Sequence, residues 1–254
     1  MTELDIDEAR VLVAESCRVS AARGLVDGIL GHISYRVDAE TLLIRCRSAD
    51  DTGVAFTRPS DIRLIDFDGS AARPGELDGY TVPNELPVHT ETMMASPANV
   101  AVAHLHPPAL VAADLAGIVL RPIYGAYDIP GAYLALGGIP CYERAVLIRT
   151  PSLAKEMVQA MGGSPIVICR GHGITSTANT VQQTVLQAIS ASELARMSLQ
   201  IVGAGGTLRG IDDADWHDLP DLGAQFNTGS AWRHELARAE ALGFCCSGSA
   251  ATTG

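Results

Sequence analysis

The chain has 254 residues, 47% of them hydrophobic, and a formal net charge of −11. That length supports one large domain or two small ones around a sizeable core. So acidic a chain lacks the clustered cations that nucleic acid or an anionic membrane surface requires, which excludes both as partners; a few local arginines still suffice for a small anion. Met1 to Arg10 is acidic and has no cationic start before an apolar run, so no secretory signal is expected. No stretch approaches the roughly 18 consecutive apolar residues of a membrane span. Cys17, Cys46, Cys141, Cys169, Cys245 and Cys246 follow no framework spacing and form no C-x-x-C pair. Reduced thiols in a cytoplasmic protein are the expectation.

Asp5 to Ala22 reads as a helix, because Ala9, Leu12, Val13, Ser16 and Cys17 recur at spacings of three and four. Ile33, Tyr35 and Val37 alternate, then Leu42 to Cys46 does so after a turn at Asp38-Ala-Glu40, a hairpin pattern. Ile62 to Asp66 is a further strand, ending in the turn Asp66-Phe-Asp-Gly69. Leu86 to Met94 reads as a helix. Val100 to His106 reads as an alternating strand stopped by Pro107-Pro108. A short helix over Ala109 to Ala116, a loop at Gly137-Gly138 and Pro140, and a helix over Ser152 to Met161 follow. Ile166 to Cys169 is a buried strand. Thr180-Val-Gln-Gln183 is a capping box opening a helix to about Val202, with Val181, Val185, Ala188, Ile189, Ala195 and Leu199 as its stripe. Beyond the hinge Gly203-Ala-Gly-Gly206 the texture is irregular. Trp232 to Ala241 reads as a peripheral helix, and Ser247 to Gly254 as disordered.

Chemistry concentrates in four segments. On a strand, His104 and His106 project to one side, a spacing that suits two imidazoles on one metal ion. Arg170-Gly-His172-Gly-Ile174 follows a buried strand, and glycines on both sides leave His172 free to turn into a cleft as a third ligand. Three histidines keep coordination positions open, as a catalytic metal site does. In Pro83-Asn-Glu-Leu-Pro-Val-His89, Glu85 has two readings: a carboxylate that moves a proton or binds the metal, or a helix-start carboxylate favoured by the macrodipole. His89 reads as a helix-face or supporting histidine. Gly28-Ile-Leu-Gly-His32-Ile-Ser34 can present backbone amides to an anion. Arg36, Arg45, Arg47 and Arg58 follow within a short span, and guanidinium groups bind carboxylates in bidentate fashion. At least two of the four read as exposed strand arginines that balance Asp50 and Asp51.

In this order and at this spacing, the Glu85 segment, His104-Leu-His106-Pro-Pro and Gly171-His172-Gly173 resemble the class II aldolase/adducin family over roughly Ile6 to Gly203. The resemblance implies an α/β fold, a three-layer α/β/α domain with a mainly antiparallel central sheet. It implies a catalytic domain over 1–205 and a C-terminal extension over 206–254. It implies a divalent ion (zinc, manganese, iron or cobalt) on His104, His106 and His172, with Glu85 as the acid/base group. It also implies a homotetramer with sites at subunit interfaces, where His217 or Tyr133 would cap a neighbour's site.

Two departures bear on substrate. Gly31-His-Ile-Ser34 stands where sugar-phosphate aldolases of the family usually carry Gly-Asn-x-Ser, and Pro83-Asn84 where they carry a small Ser-Ser pair; both places help bind phosphate in those enzymes. With Arg45-Cys-Arg47, Ala55-Phe-Thr57 and Tyr124-Gly-Ala-Tyr-Asp-Ile-Pro130, this pattern is similar to the family's aromatic-acid decarboxylase branch. The activity implied is non-oxidative, metal-dependent decarboxylation of a small anionic hydroxylated aromatic acid. The implied substrate contacts are His32, Ser34, Arg45, Arg47, Arg58 and Tyr127. Glu85 is the implied proton carrier if its setting raises its pKa, with Tyr124 or Tyr127 as second choice. An aldolase or dehydratase acting on a sugar phosphate or sugar acid is the alternative. An iron oxygenase and a non-catalytic module stand further off, and retention of all three histidines and the glutamate speaks against the latter.

Overall fold

The first helix, α1 (Ile6–Ala22), starts at Asp5, whose carboxylate accepts the Asp7 amide. The computed structural model describes residues 5–244; Cys245-Cys246 and the expectation for Ser247 to Gly254 lie outside them. The expected hairpin forms from β1 (His32–Arg36) and β2 (Thr41–Arg45), with Tyr35 opposite Leu43. A two-residue strand, β3 (Arg47–Ser48), leaves the main sheet. β4 (Ile62–Asp66) pairs with the free edge of β2, and the Gly69 amide closes the Asp66 turn at 2.9 Å. β5 (Tyr80–Thr81) pairs with β3 as a separate small sheet. Next come α2 (Leu86–Ala95), β6 (Ala101–Leu105), α3 (Pro108–Leu115), α4 (Ile129–Leu134), β7 (Cys141–Tyr142), α5 (Pro151–Met161), β8 (Ile166–Cys169) and β9 (Gly173–Ala178). The long helix α6 (Val181–Gly203) opens at Thr180, whose hydroxyl accepts the Gln183 amide. After irregular chain, α7 (Gly223–Gln225) and α8 (Trp232–Ala241) complete the described residues.

The seven-stranded sheet runs β4-β2-β1-β6-β9-β8-β7 and is antiparallel except for β7 beside β8. Side-chain alternation divides its contacts between two layers. Ile33, Leu43, Ala101, Ala103, Leu105, Ile166, Ile168 and Ile174 pack in the cluster that holds α1, α3 and α6. Leu42, Ile44 and Val102 pack with α2, and Val167 and Cys169 with α5. The result is the three-layer α/β/α architecture with a largely antiparallel sheet. No helix among the described residues is long and apolar enough to cross a membrane.

The structure adds elements that the pattern did not announce. β9 reads Gly-Ile-Thr-Ser-Thr-Ala, too polar for a buried strand, yet it lies beside the central β6. Its hydroxyls are all used: Thr175 meets His104 at 2.9 Å, Ser176 meets Gln187 of α6 at 2.7 Å, and Thr177 donates to the Ala101 carbonyl at 2.9 Å. β3, β5 and β7 span two residues each, too few to leave a period. α4 hides behind Pro130-Gly131; proline is harmless in a first turn, and Asp128 caps that turn by accepting the Gly131 amide. β6 is buried on both faces rather than alternating between core and solvent.

α8 is not peripheral. Trp232 and Ala239 join the core, and Glu235, 4% exposed, accepts both Nε and Nη2 of Arg23 on the α1 side. Arg23→Ala would leave that buried carboxylate without its counter-charge, so it should cost about 3 kcal/mol of stability. Urea unfolding of the variant checks this value.

Candidate metal centre

His104 lies on β6 and faces the α2–α5 side, fully buried. Its cross-strand neighbour Thr175 holds Nδ1 at 2.9 Å, which leaves Nε2 for other use. That Nε2 lies 3.4 Å from His172 Nε2 and 3.5 Å from Glu85 Oε2. His172 Nε2 in turn lies 3.6 Å from Glu85 Oε2. His106, two residues along from His104 and just past the strand end, points the same way. Its ring centroid is 5.2 Å from that of His104 and 4.7 Å from that of His172. One ligand atom from each of Glu85, His104, His106 and His172 lies within 4.8 Å of all the others.

Among the described residues, His106 Nε2 is buried with no hydrogen-bond partner. A buried ring nitrogen left unpaired is costly, and here it faces two imidazoles and a carboxylate. A divalent cation would satisfy the converging lone pairs together, and three nitrogens with one oxygen is a donor set that such ions accept. The donors are also anchored from behind: Thr175 holds His104, the Val146 backbone holds His172, and the Ile148 amide donates to Glu85 Oε1 at 3.0 Å.

The glycines flanking His172 are explained by space. Gly171 has φ +59° in the turn closed by the His172 amide on the Cys169 carbonyl. A Cβ on Gly173 would come within 2.2 Å of the Leu105 carbonyl oxygen and 2.8 Å of the His106 ring, so only glycine lets β9 approach β6 this closely.

Glu85 stands immediately before α2, but its side chain makes no capping bond there. It turns to His104 and His172 instead. Burial pushes its carboxyl upward, but the hydrogen bond and charge of His104, the charge of His172 and the Ile148 amide outweigh that, and the pKa settles at about 2. The elevated pKa that an acid resident at neutral pH would need is therefore absent; the group is a carboxylate.

A second tier stands behind the first. His89 of α2 is fully buried, with Nδ1 2.6 Å from Ser34 Oγ and Nε2 2.6 Å from His32 Nδ1. The His32 ring stacks on His104 at 5.3 Å. Burial and the charge of His104 lower His89 to about 3 against the pull of Glu85. Burial, with His104 and His172, lowers His106 to about 3. Burial and the neighbouring histidines push His32 down as well. His32, His89, His104, His106 and His172, five of the seven histidines, thus share one site.

The remaining sequence candidates are not members of the histidine cluster itself, although the charge of Arg45 reaches His32. Arg45, 2% exposed, is engaged by Asp51 at 2.6 Å and the Thr57 hydroxyl at 2.9 Å. Arg58 is exposed and pairs with Asp61 at 3.4 Å. Arg47 has no ion pair among the described residues and lines a surface cleft of about 610 Å³ with Ile29, Asp51 and Thr81. Tyr127 is exposed and donates to Glu193 at 2.9 Å. Among the described residues, the Tyr124 hydroxyl is buried without a partner, its ring against Tyr127. Tyr133 donates to the Leu219 carbonyl at 2.9 Å, and His217 is exposed. Thr175 and the Val146 and Ile148 backbone went unnoticed in the sequence, since nothing local marks a threonine or an amide as a ligand's support.

The profile of the Class II Aldolase and Adducin N-terminal domain matches residues 11–199, and the chain belongs to that family. It is 74% identical over 240 residues to a 3,4-dihydroxyphthalate decarboxylase of Rhodococcus jostii, covering 94% of this chain and 99% of the relative. A protein of the same description from Arthrobacter keyseri is 58% identical over 234 residues, covering 92% and 94%. Among solved structures, an aldolase II superfamily protein from Pseudomonas syringae superposes with a TM-score of 0.75 at 20% identity, covering 94% of each chain. An L-fuculose 1-phosphate aldolase from Glaciozyma antarctica gives 0.74 at 16% identity, over 95% and 94%. These structures share the fold.

The pKa shifts set an acid limit on the metal-free protein. His89 and His106 stay neutral in the fold down to about 3, while the unfolded chain protonates them from about 6.5. The unfolded state holds more protons across that window, so stability is full above it and falls as pH drops through it. Each histidine contributes up to about a tenfold fall in folding constant per pH unit. Urea unfolding of chelator-treated protein between about pH 7 and about pH 5 should show this decline; a flat profile would contradict it.

Proposed function

We propose that the chain is a divalent-metal-dependent, non-oxidative decarboxylase of 3,4-dihydroxyphthalate, and hence a carbon–carbon lyase. The observation that carries the reading is the buried convergence of His104, His106, His172 and Glu85. It occurs in a chain 74% and 58% identical to relatives named for this reaction. A cation held by the three histidines would supply Lewis-acid stabilisation of the charge that collects on the substrate oxygen beside the breaking bond.

The carboxylate beside the 3-hydroxyl is the one to leave. A proton added to its ring carbon turns that hydroxyl into a carbonyl and puts the carboxylate β to it. When the carbon–carbon bond breaks, carbon dioxide departs, the electron pair passes to the carbonyl oxygen and the ring is aromatic again; a proton from water then restores the 3-hydroxyl of 3,4-dihydroxybenzoate. Glu85 Oε2 is ionised before substrate arrives, since its carboxyl sits at about 2. It relays the proton from the 3-hydroxyl to the ring carbon, and a held cation would supply the hydroxyl acidity that lets so weak a base accept it. His32, held through His89 to Ser34, is a polar contact for the substrate. Arg47 is the arginine for the retained carboxylate: it lies opposite Thr81, four residues before Glu85, and among the described residues it is the one of Arg45, Arg47 and Arg58 without an ion pair. The catalytic domain is assigned to residues 1–205 and the extension to 206–254. A cytoplasmic homotetramer serving phthalate breakdown is part of the same reading, on the family resemblance.

Metal-loaded protein incubated anaerobically with 3,4-dihydroxyphthalate should release carbon dioxide, and a chelator should stop it. Glu85→Gln should lose at least about a hundredfold in kcat with the fold retained; full turnover in that variant would end the proposed role. Arg47→Met should raise KM about tenfold with kcat little changed, because it removes a charge-assisted grip on a group that does not react. Activity on phosphorylated ketoses alone would favour an aldolase instead.

A further inference from the structure

The metal ligands come from separate pieces of chain, and the His172 turn needs a support of its own. Asp114 supplies it. Its side chain is only 5% exposed. Its Oδ2 accepts the Gly171 amide at 2.7 Å, one residue before His172. Its Oδ1 lies 3.4 Å from Arg170 Nε and accepts from Cys141 Sγ at 3.6 Å. Arg170 is held on its other side by Glu143 at 2.6 Å. Asp114 sits in the last turn of α3, where the helix macrodipole disfavours an anion. A buried carboxylate at that end works against local helix stability, and its compensation is the bond to the turn.

The connection has a geometric consequence. α3 begins two residues after His106 and is a single rigid rod of eight residues. Asp114, near its far end, grips the turn that carries His172. Helix and hydrogen bond together form a strut from the His104/His106 strand end to the third imidazole.

We propose that Asp114 is a positioning residue for the metal centre: through the Gly171 amide it fixes His172 relative to His104 and His106, and so sets the affinity for the cation. This rests on the metal reading above. Outer partners of metal ligands typically account for about tenfold or more in affinity.

The test is titration of chelator-stripped full-length protein with Co(II), followed by its visible absorption, beside a thermal melt of each variant. Asp114→Ala should bind Co(II) at least about tenfold more weakly than the parent, while Asp114→Asn, whose amide oxygen still accepts from Gly171, should stay within about threefold. Arg23→Ala, on the face of the sheet away from the histidine cluster, should melt lower yet bind Co(II) normally. Wild-type affinity in Asp114→Ala with only a lowered melting temperature overturns the inference, as does a loss in Asp114→Asn equal to that in Asp114→Ala. If Asp114→Ala does not fold, Asp114→Glu takes its place: it keeps the charge but lengthens the arm, and normal affinity there overturns the inference equally. Failure of the parent itself to take up Co(II) would overturn the metal reading and the inference together, and so differs from failure in the variants alone.

Discussion

Three imidazoles and a carboxylate crowd into one buried space, their ligand atoms within 4.8 Å of one another, and much of the fold serves to hold them there. Without a cation, such a cluster is costly: lone pairs face one another, and His106 Nε2 has no partner among the described residues. The structure offsets that cost by anchoring three of the four donors from behind. Thr175 lies directly opposite His104 in the ladder, and the Ile148 amide holds Glu85. Burial pushes Glu85 up, but the crowded His104 and His172 overcome it and hold the carboxyl low, while burial and the neighbouring histidine charge both lower His106 and His172.

The two faces of the sheet divide the work. The α1, α3 and α6 face holds the large apolar cluster, with Leu105, Leu110, Ile174 and Val185 buried in it. The opposite face carries His32, Ser34, His104 and Thr175, and α2 covers it with polar groups that are themselves buried. His89 bonds Ser34 and His32, while Thr92 returns its hydroxyl to the Val88 carbonyl at 2.6 Å. The polar side chains of this helix could not stay buried unless they were paired. The stable apolar layer carries the strands, and the polar layer uses their alternation to aim imidazoles in one direction.

The legible parts were those with local signatures. The capping pattern at Thr180 and the turn after Asp66 are short-range chemistry, and the structure places α6 and the end of β4 accordingly. His104 and His106 could be paired from their spacing alone, because strand geometry puts alternate residues on one side. β9 was not legible: a Thr-Ser-Thr run is buried only because His104, Gln187 and the Ala101 carbonyl arrive from elsewhere to take up its hydroxyls. The arginines could not be told apart by sequence for the same reason. Arg45 and Arg47 lie two residues apart, yet one is engaged by Asp51 and Thr57 while the other lines an open cleft, a difference set by the neighbouring loop.

By itself the sequence determined the ligand types, the strand spacing that makes His104 and His106 neighbours, the glycines around His172 and the family to which this arrangement is similar. All are properties of residues close in the chain, governed by backbone geometry and side-chain chemistry. The tertiary structure alone decided that Glu85 faces His104 and His172 rather than capping α2, that its carboxyl is held low instead of raised, and that His89 and His32 stand behind the centre. Those outcomes depend on distances between strands β1, β6 and β9 and the start of α2. Such distances arise only when the whole sheet and its helices pack, and a pKa responds to the charges and burial that this packing creates.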